Sequence, residues 1–174
     1  MQNSCRFGII IVSLQYKMNN ILSIMILPFK AIRPSLVADM PAVSNSFWLR
    51  GKYEALTFFG YIITHSQQEA EHINKQYDEL KNHEMIHLRQ AQATGDSWLR
   101  FYLLYIWYWL RGLPMNRKMR GAAYLLNPFE LEAYRHMHDM GYPERCGDDG
   151  AQEWRQYVGM KYQERRAVYE KLKR

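Results

Sequence analysis

Two regimes of hydrophobic patterning divide the chain. From Ala55 to Thr64 most residues are apolar, aromatic or β-branched, which predicts a strand, with Gly60 marking a bulge or the close approach of another backbone. From about Glu69 to Ala93 the period changes. Ile73, Tyr77, Leu80, Glu84 and Leu88 recur at helical spacing with no intervening proline, predicting one long helix. Gly95, Asp96 and Ser97 break it and cap a second helix, Trp98 to Leu113, which Gly112 and Pro114 end.

That second helix is apolar almost all round, and such a helix is central in a core or lies in lipid. Its apolar length falls short of the roughly 20 residues that a membrane span needs. Arginines stand towards both of its ends, so a buried core helix is expected, with contact at a membrane surface through its Tyr and Trp rings left open. Farther on, Arg117 to Arg120 is a basic loop or helix start. Asn127-Pro128 opens a helix through Ala133 and Met137 to about Met140, and Gly141-Tyr142-Pro143 terminates it. A last, basic helix runs from Glu153 to about Leu172. Upstream, Ile21 to Ile32 reads as an edge strand or extended arm, followed by an irregular stretch marked by Pro34, Pro41 and Ser44-Asn45-Ser46. The expected fold is α+β and helix-dominant, with a small N-terminal sheet or hairpin packed on the helices.

Length and composition add limits. A chain of 174 residues is expected to form a single domain, with residues 1–17 an appendage if translation starts at Met18. Cys5 and Cys146 are too few for a disulfide framework and lack the paired spacing of a cysteine zinc site, so any metal must rely on His and carboxylate. The formal charge is +6, but Arg155, Lys161, Arg165, Arg166, Lys171, Lys173 and Arg174 concentrate much of the excess in the last helix, which reads as a solvated face. No nucleic-acid motif accompanies them, and no nucleic-acid partner is expected. Phe7 to Leu14 and Ile21 to Phe29 are too short to span a bilayer, and Ser13-Leu14-Gln15 is a poor signal-peptidase site. A cytoplasmic protein is expected, with peripheral membrane association the alternative.

One string carries chemistry: His83-Glu84-Met85-Ile86-His87. On a helix its two histidines lie about 40° apart around the axis and about 6 Å apart along it, so both imidazoles can reach one ion. Glu84, about 100° from His83 and 60° from His87, stands at the rim of that face as a general base. With 6 His in the chain, chance alone would place such a string in about one chain per hundred of this composition. A catalytic zinc also needs a third protein ligand and an open position for water. Glu130 and Glu132 are the carboxylates to test. They are about 200° apart on a helix, so only one can face the metal. Local physics leaves Glu130 open between ligand and partner of Asn127 in a capping box.

The segments His83-Glu84-Met85-Ile86-His87-Leu88-Arg89-Gln90 and Asn127-Pro128-Phe129-Glu130-Leu131-Glu132-Ala133-Tyr134 together resemble the gluzincin metallopeptidases, most of all small single-domain bacterial members. The similarity runs from about Leu56 to Gly141, within a metallopeptidase-like core of about 55–141: strand, zinc helix, linker helix, glutamate helix. It implies one Zn²⁺ held by His83, His87 and Glu130, with Glu84 assisting the attack of a zinc-bound water on a peptide bond. It also implies a peptide or protein substrate lying along the free edge of the strand. Gluzincins commonly carry an aspartate four residues after the ligand glutamate, where this chain has Tyr134. Gln90, one turn beyond His87, is a candidate to orient that histidine, and its other reading is a surface polar residue. His138, about 80° from Glu130 on the predicted helix, is a candidate oxyanion donor, and its other reading is a surface histidine. Glu132 stays in reserve as the alternative carboxylate. His65 and His72 receive no role. Two other classes remain: a non-catalytic, zinc-stabilised peptide-binding domain, and a basic, aromatic-rich membrane-surface protein whose motif is accidental.

Overall fold

The computed structural model describes residues 33–45 and 55–173. All of these belong to one compact unit, Ala31–Arg174. The expected arm at Ile21 to Ile32 and the appendage at 1–17 lie outside the described residues.

The expected α+β, helix-dominant architecture is present. Three short strands form a sheet in the order β1 (Ala42–Ser44), β3 (Tyr61–Thr64), β2 (Ala55–Phe58), with β1 parallel and β2 antiparallel to β3. Two corrections follow. The single strand expected over Ala55 to Thr64 is a hairpin, paired Phe58 to Tyr61 and Ala55 to Thr64. Its two turn residues, Phe59 and Gly60, both have positive φ (45° and 88°), the conformation of the tight turns whose twist matches paired strands. Gly60 is thus half of a turn rather than a bulge. The strained Phe59 is held from outside the hairpin: its N–H donates to the Tyr102 hydroxyl (2.9 Å), which donates to the Thr57 carbonyl (3.2 Å). The second correction is β1, in a stretch expected to be irregular. Asn74 completes it by pairing with both the N–H and the carbonyl of Ala42 (2.8 and 2.9 Å), covering the outer edge of the strand as another strand would.

The helix expected over Glu69 to Ala93 is two helices, α1 (Gln67–Lys75) and α2 (Glu79–Ala93). No glycine or proline breaks it. Ser66 and Glu69 form a capping box on α1, and the Asp78 carboxylate accepts from the Lys81 N–H (2.8 Å) to start α2 afresh. The apolar helix α3 (Trp98–Gly112) begins at the Ser97 cap as expected, but it is not a central core helix. Trp98, Phe101 and Gly112 are its buried residues, whereas Leu99, Leu103, Ile106, Trp107 and Leu110 face outward. The centre of the fold belongs to the polar helix α2, in which every residue from Lys81 to Leu88 is buried. No helix among the described residues is long and apolar enough to cross a membrane.

A short α4 (Ala122–Leu125) leads to α5 (Pro128–His136), and α6 (Tyr142–Arg145) follows at the expected terminator. The last helix expected is again two, α7 (Trp154–Val158) and α8 (Tyr162–Leu172). Their basic face is only partly solvated, since Arg165 turns inward to donate to the carbonyls of Tyr157, Val158 and Leu126.

Helix α2 clamps α5 at both ends. At one end the Asn82 side-chain amide donates to the carbonyls of His136, Met137 and Asp139 (3.1, 2.8 and 3.0 Å), satisfying the exposed end of α5. At the other end Gln90 donates to the Phe129 carbonyl (2.9 Å). These two amides set α2 and α5 antiparallel at a fixed separation. His83, His87 and Glu130 lie between them.

Candidate metal centre

His83 and His87 project from one face of α2 towards Glu130 in the first turn of α5. His83 Nε2 is 3.3 Å from Glu130 Oε2, and His87 Nε2 is 3.4 Å from Glu130 Oε1. One ligand atom from each residue lies within 4.8 Å of the others, and all three side chains are buried. Four ligands at about 2.0–2.1 Å from a tetrahedral ion stand about 3.3 Å apart, and each histidine is already about that far from one oxygen of the carboxylate, though the two approach different oxygens. The Glu130 carboxylate is therefore a candidate ligand rather than a cap. Asn127 caps α5 without it, accepting from the Phe129 N–H (3.2 Å).

The carboxylate is asymmetric in its partners. Oε1 accepts from the Tyr105 hydroxyl (2.7 Å). Oε2 is buried, and no donor among the described residues meets it with hydrogen-bond geometry, although His83 Nε2 stands 3.3 Å away. A buried carboxylate oxygen with an unused lone pair facing two imidazole nitrogens is costly unless a cation is bound there. Two neutral imidazoles and a carboxylate form the donor set suited to a borderline divalent ion, so the residues fit a metal. Without one, a proton takes its place. Burial would lower the His87 imidazole, but the Glu130 carboxylate outweighs it and holds the group at about 9. Burial would raise Glu130, and the two histidines more than reverse this, driving it well below the carboxylate range.

Gln90 fixes the tautomer of His87. Its Nε2 donates to two groups that only accept, the Phe129 carbonyl (2.9 Å) and the Glu132 carboxylate (2.7 Å), so its Oε1 must face His87 Nδ1, 2.8 Å away. Nδ1 then carries the proton, and in the neutral ring the lone pair is on Nε2, pointing at the trio. Glu132 is itself anchored by the Tyr142 hydroxyl (2.8 Å) and the Glu153 N–H (2.7 Å). It is not part of the trio and instead orients Gln90; burial raises its carboxyl, against the lowering by these donors. Tyr134, where gluzincins commonly carry aspartate, lays its ring 5.0 Å from the ring of His83, which also meets His87 edge-on at 4.8 Å. Burial, then the Glu130 charge, push the Tyr134 hydroxyl well above its usual range.

Glu84 is buried beside the trio and accepts a hydrogen bond from the Thr57 hydroxyl of β2. This bond ties the edge strand to the middle of α2. His138 takes no part: it is 65% exposed and pairs with Glu79 (2.7 Å). His136 binds Glu153 (2.7 Å) and stacks on Tyr142, which makes it part of the support behind Glu132. His72 pairs with Asp78 at the surface. Sequence reasoning missed Tyr105 and Thr57. Each is a hydroxyl within an apolar run, and that was the available signal, because a buried hydroxyl needs a partner.

Comparison with known proteins gives no match: no family model, no curated protein and no solved structure is similar to this chain. The class that fold and site define is a small α+β domain with a buried His-His-Glu group able to hold a metal ion.

Proposed function

We propose that this protein is a zinc-dependent metallopeptidase of gluzincin type, with His83, His87 and Glu130 as ligands and Glu84 as general base. The observation that carries the reading is Glu130 Oε2, a buried carboxylate oxygen without a hydrogen bond, beside two imidazole Nε2 atoms on a helix that also carries Glu84. Zinc suits this set because it takes nitrogen and carboxylate ligands and, with three from the protein, keeps one position open. When bound, zinc supplies a Lewis acid that polarises a carbonyl and lowers the pKa of water to about 7. Glu84 accepts the proton of the attacking water and passes it to the leaving amine. Thr57 holds the Glu84 carboxylate in place for both transfers.

The substrate is an extended peptide or protein segment. Among the described residues no strand pairs with the outer edge of β2, and Thr57 lies on that strand in contact with Glu84. Strand addition there would recruit a peptide through its backbone with little sequence preference, and would bring a scissile bond towards Glu84. Deep burial of all three ligands favours a second reading, a non-catalytic zinc-stabilised domain.

Metal content and hydrolysis of a mixed peptide library, measured on the same samples, test both. The wild type is expected to hold one zinc ion per chain and cleave. His83→Ala with His87→Ala should abolish both properties. Glu84→Gln should keep zinc and lose cleavage, and Glu130→Ala should weaken zinc binding far more than Glu132→Ala. Zinc-loaded wild type that cleaves nothing would leave the non-catalytic domain. Metal content indifferent to the double histidine substitution would refute the zinc site itself.

A further inference from the structure

Helix α3 turns one side to the metal centre and the other to solvent. Phe101 and Tyr105 pack against His87 and Phe129 on the inner side. On the outer side Leu99, Leu103, Ile106, Trp107 and Leu110 are 64, 60, 50, 54 and 48% exposed. At 100° per residue these five fall within an arc of about 100°, forming one stripe along a helix about 22 Å long. Isolated exposed leucines need no explanation, but a continuous stripe of this size on a single helix marks an interaction surface.

The border of the stripe is cationic. Arg100 and Arg111 follow Trp107 around the helix, with the Arg111 guanidinium 5.9 Å from the Trp107 ring centre. Between Asp96 and Glu130 the chain carries Arg100, Arg111, Arg117, Lys118 and Arg120, all exposed, and no acidic residue. None of the five pairs with a carboxylate among the described residues. An aliphatic stripe with an indole at its rim and cations beside it matches the layering of a bilayer surface, where acyl chains, glycerol region and anionic headgroups succeed one another within a few ångströms.

We propose that this face of α3 docks on an anionic lipid surface, the helix lying in the interface plane with its stripe in the outer acyl region. The charge selects this occupant. In a two-fold contact between copies, the same patch would meet itself and oppose its own cations, whereas an anionic bilayer neutralises them. The inference is independent of the metal reading, since the stripe lies across α3 from Tyr105.

The test uses the full chain and vesicles of phosphatidylcholine with or without about one third phosphatidylglycerol, read by co-sedimentation at about 0.1 M salt, where exposed charges act over about 10 Å. Binding to the anionic vesicles should exceed binding to neutral ones by about tenfold or more, and should weaken as salt is raised. Leu103→Asp and, separately, Ile106→Gln alter exposed positions, so the fold, checked by circular dichroism, should survive; each should lower vesicle binding about tenfold. Arg111→Glu with Arg117→Glu should remove the preference for anionic lipid. Absence of binding by the wild type, equal binding to neutral vesicles, or binding unchanged in both stripe variants would overturn the proposal. So would a wild-type dimer in solution that Leu103→Asp returns to monomer, which would identify a second copy as the occupant.

Discussion

Replacing Gln90 with leucine tests the central relation in the site, that an amide outside the trio dictates which nitrogen of His87 is available to a metal. Leucine keeps roughly the volume and removes three hydrogen bonds at once: those to His87 Nδ1, to the Phe129 carbonyl and to the Glu132 carboxylate. Two of these groups are buried acceptors left without that donor, at about 1–3 kcal/mol each, and more where the acceptor is charged. Glu132 keeps Tyr142 and the Glu153 N–H, which holds the loss towards the lower end. A cost of about 2–5 kcal/mol within a typical stability of 5–15 kcal/mol leaves a folded but weakened protein. Separately, an imidazole freed to rotate and change tautomer should lose about 10–100-fold in zinc affinity. Urea unfolding of the metal-free protein measures the first effect, and competition against a chromophoric chelator measures the second. Glu132→Gln is the milder companion: it keeps the volume but sets an NH2 group against donors, either Gln90 Nε2 or Tyr142 and the Glu153 N–H, and should lower affinity severalfold. If Gln90→Leu unfolds more easily while its zinc affinity stays within about twofold of wild type, the link through Nδ1 is wrong and Gln90 serves packing alone.

Three further outcomes follow from the geometry. A proton held on His87 up to about pH 9 must leave before a metal binds, so zinc affinity should rise about tenfold per pH unit towards pH 9 and then level off. The metal-free protein should behave oppositely. A raised histidine contributes stability fully below about pH 6.5, its unfolded value, and loses it as pH climbs through about 9, so the zinc-induced rise in Tm should grow across that window; a rise independent of pH would refute the pairing of His87 with Glu130. Thr57→Val removes the hydroxyl that holds Glu84 and should reduce kcat of peptide hydrolysis more than it changes KM, with zinc content unaltered; loss of zinc instead would show that β2 supports the ligands rather than the base. Gly150→Ala places a Cβ 2.3 Å from the Arg89 carbonyl at a φ of +69°, and should destabilise by about 2–5 kcal/mol, lowering Tm by about 5–20 °C in thermal unfolding; an unchanged Tm would mean the 150 loop moves freely off α2.

Local signals made part of this molecule legible. Ser97, Asn127 and Pro128 mark helix starts by side-chain chemistry acting within three residues, and each stands where it was expected. The His-Glu-x-x-His string likewise shares one face of one helix by arithmetic alone. Where a boundary depends on competition between equally local signals, the reading failed. Asp78 capped a new helix inside an unbroken apolar rhythm, and Phe59-Gly60 closed a hairpin in what reads as one β-rich run. Strand β1 was invisible because three residues carry no period, and Asn74 lends it an edge from 32 positions away.

The deepest misreading concerned which helix is central, and its cause reaches into the site. Summed hydrophobicity assigns the interior to α3, yet α2, with Lys81, Asn82, His83, Glu84, His87 and Gln90, occupies it. Burial of such a helix is tolerable only if its polar atoms find partners. They do so in residues remote along the chain: Lys81 in Asp39, Asn82 in three carbonyls at the end of α5, Glu84 in Thr57, Gln90 in Phe129 and Glu132. No window of sequence contains both halves of those pairs. The same accounting applied to the glutamate facing α2 comes out one partner short. Tyr105 satisfies one oxygen of Glu130, and among the described residues nothing donates to the other with hydrogen-bond geometry. Buried N–H or O–H groups of Arg89, Trp98, Trp154 and Tyr162 also lack partners, but Glu130 Oε2 is the one orphan on a carboxylate, and two imidazole nitrogens already face that carboxylate, which makes it a position suited to a cation.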